Sequence, residues 1–167
     1  MSFETPDFNI LNELMDKESQ KNIDGQDNPR VKELLKEIPK QYHNRIVLHS
    51  HHNLARKFKV KGIHLTKHHK KKKYGTWFNV QTIKLKNPNI ILTTSYNTIG
   101  NILTPSINYT FDYVFLSPVF DRHEMQEFSA AYSEKQLRSV LYKTKHEVIA
   151  LGGVSYSRIE LARRTGF

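Results

Sequence analysis

The chain has 167 residues, with 26 Lys or Arg, 16 Asp or Glu, 9 His, no Cys and a formal net charge of +10. That length suits one domain of ordinary size, and the positive excess favours anionic partners such as phosphorylated small molecules, nucleic acid or an acidic lipid surface. The missing cysteines exclude a disulfide framework, a thiolate nucleophile and any Cys-ligated zinc or iron–sulfur centre, and they fit a reducing, cytoplasmic setting.

In chain order, residues 1–27 are a poorly defined N-terminal segment. Phe8, Ile10, Leu11, Leu14 and Met15 can line a short helix, and the polar stretch Asp16 to Asp27 reads as loop or disorder. From residue 28 to 167 the pattern is that of one ordered domain. Asn28 is a good N-cap and Pro29 suits the first helical position. Val31, Leu34, Leu35 and Ile38 follow at helical spacing, and Pro39 stops the helix. Arg45 to Ser50 reads as a strand, Asn53 to Phe58 as a helical turn, and Gly62 to Thr66 as a second strand. Lys67 to Lys73 reads as a basic loop, and residues 74–88 fit neither period. Further strands are expected at Asn89 to Ser95, Tyr113 to Pro118 and Val148 to Gly153. Asn97 to Leu103 can form a short helix. Ser133 with Gln136 makes a capping box before Leu137, Val140 and Leu141. Ser157 to Arg164 is the last helix, with Gly166 as its stop.

The strands are short, continuous and rich in β-branched residues, and they alternate with helices. Strands buried on both faces read this way, which predicts an α/β fold with a parallel sheet. Periodicity leaves open whether that sheet is a layer or a barrel. No apolar run approaches the roughly 18 to 20 residues of a membrane span. The start Met1-Ser2-Phe3-Glu4 lacks the basic and apolar regions of a signal peptide.

Four segments then carry a more specific message. They are Arg45-Ile46-Val47-Leu48-His49-Ser50-His51, Gly62-Ile63-His64-Leu65-Thr66, Phe111-Asp112-Tyr113-Val114-Phe115-Leu116-Ser117-Pro118-Val119-Phe120 and Val148-Ile149-Ala150-Leu151-Gly152-Gly153-Val154. In this order and spacing, residues 28–167 resemble the thiamine phosphate synthase/TenI family. The resemblance implies a TIM-type (β/α) barrel with its site at the C-terminal strand ends. The family's synthase joins hydroxymethylpyrimidine pyrophosphate to thiazole phosphate, releases pyrophosphate and uses Mg2+. Five strands are legible here, where such a barrel needs eight, so the barrel is read as incomplete or degenerate at both ends. A fragment, a degenerate barrel and a homo-oligomer that completes the sheet all fit. Family members also continue past Gly166-Phe167 into a further strand.

Residue by residue, the resemblance carries over unevenly. The family's Asn-Asp-Arg is His49-Ser50-His51 here, so Ser50 replaces a magnesium-binding carboxylate. The family's Gly-Gln-Glu-Asp is Thr66-Lys67-His68-His69, and His69 stands in the place of the second metal-binding Asp. Magnesium prefers carboxylate oxygen and water to imidazole. Ser95 matches the Ser of a Ser-x-His segment, with Asn97 at the His place. The family's pyrophosphate-binding Lys falls near Met125, with Arg122 as a substitute from another position. Residues 18–24 do not match an early Gln-x-Arg-x-Lys motif, and Pro118 stands where thiazole tautomerases of the TenI type carry His. The best-kept element is Gly152-Gly153-Val154, which the resemblance marks as a phosphate site.

Each feature also has a plainer reading. His49, His51, His52, His68 and His69 could converge on a transition metal, but scattered polar loop positions explain them as well, and no metal ligands are assigned. His64 is expected in the barrel wall. Lys67 to Lys73 could funnel anions or touch nucleic-acid phosphates, and a solvated mobile loop is the preferred reading. No nucleic-acid-binding motif accompanies it, so a nucleic-acid partner is not expected. Asp121, Glu124 and Glu127 read as a polar loop rather than a carboxylate site. Gly152 and Gly153 bind phosphate or simply make a tight turn. The expected site comprises Gly152 and Gly153 on phosphate, His49, Thr66 and Ser95 facing the ligand, and Lys67 attracting anions. No residue is named as catalytic. The expected function is thiamin-related synthesis on phosphorylated thiazole and pyrimidine, or else a catalytically degenerate paralogue that binds such ligands or serves assembly.

Overall fold

The computed structural model describes residues 29–104, 106, 108–120 and 132–167. They divide into two compact units, residues 29–64 with 79–90, and residues 65–78 with the described residues from 91 to 167.

The first unit begins with helix α1 (Pro29–Glu37), which buries Val31 and Leu35, four residues and one turn apart. A 3-10 turn at Lys40–Arg45 follows. His43 is buried there, and its Nε2 lies 3.0 Å from the carbonyl oxygens of both Leu35 and Ile38. Such carbonyls at the end of α1 lack partners within the helix, so this histidine is a structural cap. Strand β1 (Val47–Leu48) pairs in parallel with β2 (Gly62–Leu65), placing Val47 opposite Gly62 and Leu48 opposite Ile63. Every residue of β2 is buried, His64 included, which is why its sequence shows no apolar–polar alternation. Between the two strands a 3-10 turn, His52–Arg56, buries His52, Leu54 and Ala55.

The second unit holds β3 (Ile91–Tyr96), β4 (Tyr113–Leu116) and β5 (Glu147–Ala150), all parallel and paired in chain order. Thr93 faces Tyr113, Val114 faces Val148 and Leu116 faces Ala150. Leu92, Thr93, Thr94, Val114 and Leu116 are fully buried. The hydroxyl of Thr94 donates to the Leu65 carbonyl at 2.6 Å, so this buried polar group is satisfied. Asp112 fixes the start of β4. Its Oδ2 accepts from the Leu92 N–H at 2.7 Å, and its own N–H donates to the Leu92 carbonyl at 2.9 Å.

Helix α2 (Lys67–Lys71) occupies the stretch expected to be a basic loop, and that expectation is corrected. Thr66 and His69 form a reciprocal N-terminal cap, which offsets repulsion among lysines on a short exposed turn. Helix α3 (Lys73–Lys86) resolves the segment that fitted neither period. Its buried positions are Thr76, Val80 and Ile83, spaced by four and three, while Trp77, Phe78 and Leu85 are exposed. Helix α4 (Ile99–Leu103) follows β3.

Helix α5 (Glu134–Lys143) starts at the expected capping box. Gln136 N–H donates to Ser133 Oγ at 3.3 Å, and Ser133 N–H donates to Gln136 Oε1 at 2.8 Å. Helix α6 (Ile159–Thr165) ends at Gly166, whose φ of 111° is the left-handed conformation a C-terminal stop uses. Arg138 of α5 donates from Nε and Nη2 to the Arg164 carbonyl at 3.1 and 2.8 Å, tying the two helices together. The strand–helix alternation is that of an α/β fold of the TIM type, with five strands among the described residues.

Two substitutions test this account in chemical denaturation. Asp112→Ala leaves the buried Leu92 N–H without its charged acceptor and is expected to cost about 1.5–3 kcal/mol. Ser133→Ala removes a helix cap and is expected to cost about 1 kcal/mol.

Candidate functional site

Because β3, β4 and β5 are parallel, their C-terminal ends lie along one edge, and the loops that leave them share that edge. The described part of the loop after β4 is Ser117 to Phe120, with a cis Ser117–Pro118 bond. The loop after β5 is Leu151 to Ser155. They run against each other through three backbone hydrogen bonds. Leu151 N–H donates to the Leu116 carbonyl at 3.0 Å, Val119 N–H to the Leu151 carbonyl at 3.0 Å, and Phe120 N–H to the Gly152 carbonyl at 3.2 Å.

Gly152 is required where these loops meet. Its φ is +82°, and a Cβ there would stand 3.1 Å from both Cα and Cβ of Pro118 and 3.4 Å from Ser117 Oγ. Gly153 follows with φ of 70°. The tight-turn reading of the glycine pair is therefore correct as far as it goes, and the close approach serves packing. It also leaves a bare stretch of main chain at the strand ends. Among the described residues, no backbone carbonyl accepts from the N–H of Gly152, Gly153 or Val154. Such donors suit an anion, since backbone N–H groups carry partial positive charge and need acceptors.

Arg158 steadies this loop, and sequence reasoning did not find it. Its Nη1 donates to the Gly153 carbonyl at 3.2 Å, and its guanidinium carbon lies 5.7 Å from the Phe120 ring centroid. It thereby touches both loops. The only signal in the sequence is an arginine five residues beyond the glycine pair, which by itself means little.

The other expected site residues divide. Ser95 lies at the C-terminal end of β3, half-buried and opposite Phe115 of β4. Thr66 is the N-cap of α2, and Lys67 is the first, exposed residue of that helix. Those three and the glycine pair belong to the second unit. His49 belongs to the first unit, where its exposed ring stacks on that of His64 at 4.4 Å and 15°. Asp121, Arg122, Glu124, Met125 and Glu127 lie outside the described residues, as do positions 18–24.

His69 is not arranged as a metal ligand. Thr66 N–H lies 3.2 Å from its Nδ1, and Thr66 Oγ1 is 2.8 Å from the same nitrogen. A backbone N–H can only donate, so Nδ1 accepts and the ring proton sits on Nε2. The imidazole is thus committed to capping α2. Ser50, at the other carboxylate place, offers a hydroxyl. Among the described residues no three His, Asp or Glu side chains gather where a metal ion would need them. A hydroxyl at Ser50 and a capping imidazole at His69 are not the carboxylate oxygens that magnesium prefers.

Lys70, one turn along α2, is the other feature that sequence reasoning left inside a charge run. It is half-buried, with Nζ 4.4 Å from the Tyr96 ring centroid at the end of β3. Burial pushes the ammonium's pKa down and that of the Tyr96 hydroxyl up.

Among the described residues no helix is long and apolar enough to cross a membrane. No curated protein matches the chain significantly. The crystal structure of a thiamine phosphate pyrophosphorylase from Bacteroides thetaiotaomicron is similar, with a TM-score of 0.60 and 21% identity over 99% of this chain and 75% of that one. At that identity the likeness speaks for the fold. A family model described as thiamine monophosphate synthase matches residues 18–167. Sheet, strand-end loops and family match agree, and the chain belongs to the thiamine monophosphate synthase family.

Proposed function

We propose that this protein serves thiamin biosynthesis by holding a thiazole phosphate at the loop after β5. The observation that carries this reading is the Gly152-Gly153-Val154 main chain, whose N–H groups have no backbone acceptor among the described residues at the C-terminal end of a parallel sheet. Phosphate oxygens would accept from those groups. Arg158 would hold the loop in its receptive form through the Gly153 carbonyl. Ser95 and Thr66 would line the approach as polar groups, and Lys67 would raise the local concentration of anions.

The reaction expected of such a site is transfer of the pyrimidine-methyl group. The thiazole nitrogen forms a bond to the pyrimidine methylene carbon. The bond from that carbon to pyrophosphate oxygen breaks, and the electron pair leaves with pyrophosphate. This chain's own residues would orient the thiazole through its phosphate and offset negative charge with lysine side chains. The missing cysteines accord with a reducing, cytoplasmic setting.

A second reading is a binding paralogue without turnover. One observation favours it specifically, namely the commitment of His69 to capping α2 at a place where the family resemblance expects a metal-binding carboxylate.

Isothermal titration with thiazole phosphate, followed by a pyrophosphate-release assay with both substrates, tests the proposal and separates the two readings. Saturable binding with release supports the synthase, and binding without release supports the paralogue. Absence of binding in protein with a folded circular dichroism spectrum overturns both. Gly152→Ala is expected to abolish thiazole phosphate binding and to lower the melting temperature, because it adds a Cβ 3.1 Å from Pro118 in a left-handed backbone. An unchanged titration curve for that variant would remove the loop from the site.

A further inference from the structure

We infer that the first turns of α3 form an aromatic, lysine-flanked face that rests this protein on an anionic lipid surface. The inference goes beyond the proposed function and does not depend on it.

Charge is placed unevenly along the chain. Residues 38–111 hold thirteen of the 26 Lys and Arg residues and none of the 16 Asp and Glu residues. The positive surplus of the whole chain therefore comes from this stretch. Its densest part is residues 67–73, with five lysines in seven positions. Lys67 and Lys71 are exposed on α2, and Lys72 is exposed at its C-terminal cap. Helix α3 starts at the next residue.

The side that α3 turns to solvent there is aromatic. Tyr74 is 88% exposed, Phe78 66% and Trp77 45%. Spacings of three and four put these rings on one side of the helix, and the buried Thr76 lies roughly opposite Tyr74 and Phe78. A helix on a soluble domain normally turns polar residues outward. A contiguous exposed apolar patch beside cations marks an interaction surface.

The residue types point to a bilayer. Trp and Tyr join an apolar ring to a polar atom and suit the headgroup level, and Phe suits the acyl boundary below it. Lysine ammonium groups would meet lipid phosphates while their stems cover apolar surface. A second copy of the chain fits less well. A twofold contact through this face would set the same lysines against each other, with no acidic residue between positions 38 and 111 to receive them. A single-stranded nucleic acid also fits less well, because it stacks its bases along a groove that cations track. Here three rings crowd within five residues on the outer side of one helix, with lysines at one end. The helix would lie on the surface, since among the described residues none is long and apolar enough to cross it.

Trp77 is the only tryptophan, so the fluorescence of the whole chain reports on this patch. The experiment is titration with vesicles of phosphatidylcholine and phosphatidylglycerol in equal parts, and with phosphatidylcholine alone. The mixed vesicles are expected to shift Trp77 emission to the blue and shield it from acrylamide, and added salt is expected to reverse this. Sedimentation with vesicles then reads affinity. Lys71→Gln combined with Lys72→Gln is expected to weaken binding about thirtyfold. Tyr74→Ser combined with Phe78→Ser is expected to weaken it by more than about tenfold. Lys143→Gln combined with Lys145→Gln removes the same charge from exposed positions elsewhere in the second unit, and is expected to change nothing. All six positions are exposed, and circular dichroism checks that each variant folds. Trp77 emission unmoved by the mixed vesicles would overturn the inference, as would equal binding to the uncharged ones or wild-type affinity in the first two variants. A shift with a single-stranded oligonucleotide and none with vesicles would overturn it in favour of nucleic acid. A dimer that Tyr74→Ser with Phe78→Ser dissociates, without vesicle binding, would overturn it in favour of a second copy.

Discussion

The hydrogen-only face of Gly152 lets the main chain leaving β5 come within van der Waals contact of Pro118, on the chain leaving β4. Two loops that would otherwise diverge are held in register by bonds from Leu151 to Leu116, from Val119 to Leu151 and from Phe120 to Gly152. Pairing therefore continues past the ends of the strands as far as the Gly152 carbonyl. Arg158 adds a lock from outside, bonded to the Gly153 carbonyl and lying over Phe120. Preorganised donors of this kind recognise an anion without a further ordering cost. The functional reading depends on that arrangement more than on any side chain.

Around α2 the side chains carry positive charge and no carboxylate. The chain has a surplus of ten positive charges, and in the second unit His69 stands at a place where the family resemblance expects a carboxylate. His69 completes the cap of α2, and Lys70 next to it leans onto Tyr96. Desolvation acts on both members of this pair, lowering the pKa of the lysine and raising that of the tyrosine. In a region of reduced polarity each charge counts for more than it would in water.

Much of this fold was legible in the sequence because parallel strands buried on both faces leave continuous apolar runs. Ile63, Leu65, Leu92, Val114 and Leu116 are buried in the strands expected for them. The Ser133–Gln136 cap was legible as well, since Gln is the residue type a capping box normally uses. The same device at Thr66 escaped notice because His69 fills the role of Gln, and a run of lysines argued for a loop. Helix α3 was ambiguous for a different reason. Three of its large apolar residues, Trp77, Phe78 and Leu85, are exposed, while the small Thr76 helps mark the buried stripe. At the site, the glycine pair was visible in the sequence, but Arg158 and Lys70 act through tertiary contacts that no local pattern encodes. His49 was grouped with the ligand-facing residues, and the structure shows its ring stacked on His64. The acidic stretch after Phe120 lies outside the described residues.

The account stands on the backbone N–H groups of residues 152–154 as phosphate donors. Amide chemical shifts of nitrogen-15-labelled protein during a titration with thiazole phosphate would test this most directly. The account predicts saturable shifts at Gly152, Gly153 and Val154 that share one binding constant, with smaller changes at Arg158. Binding that moves other amides and leaves these three unmoved would contradict it.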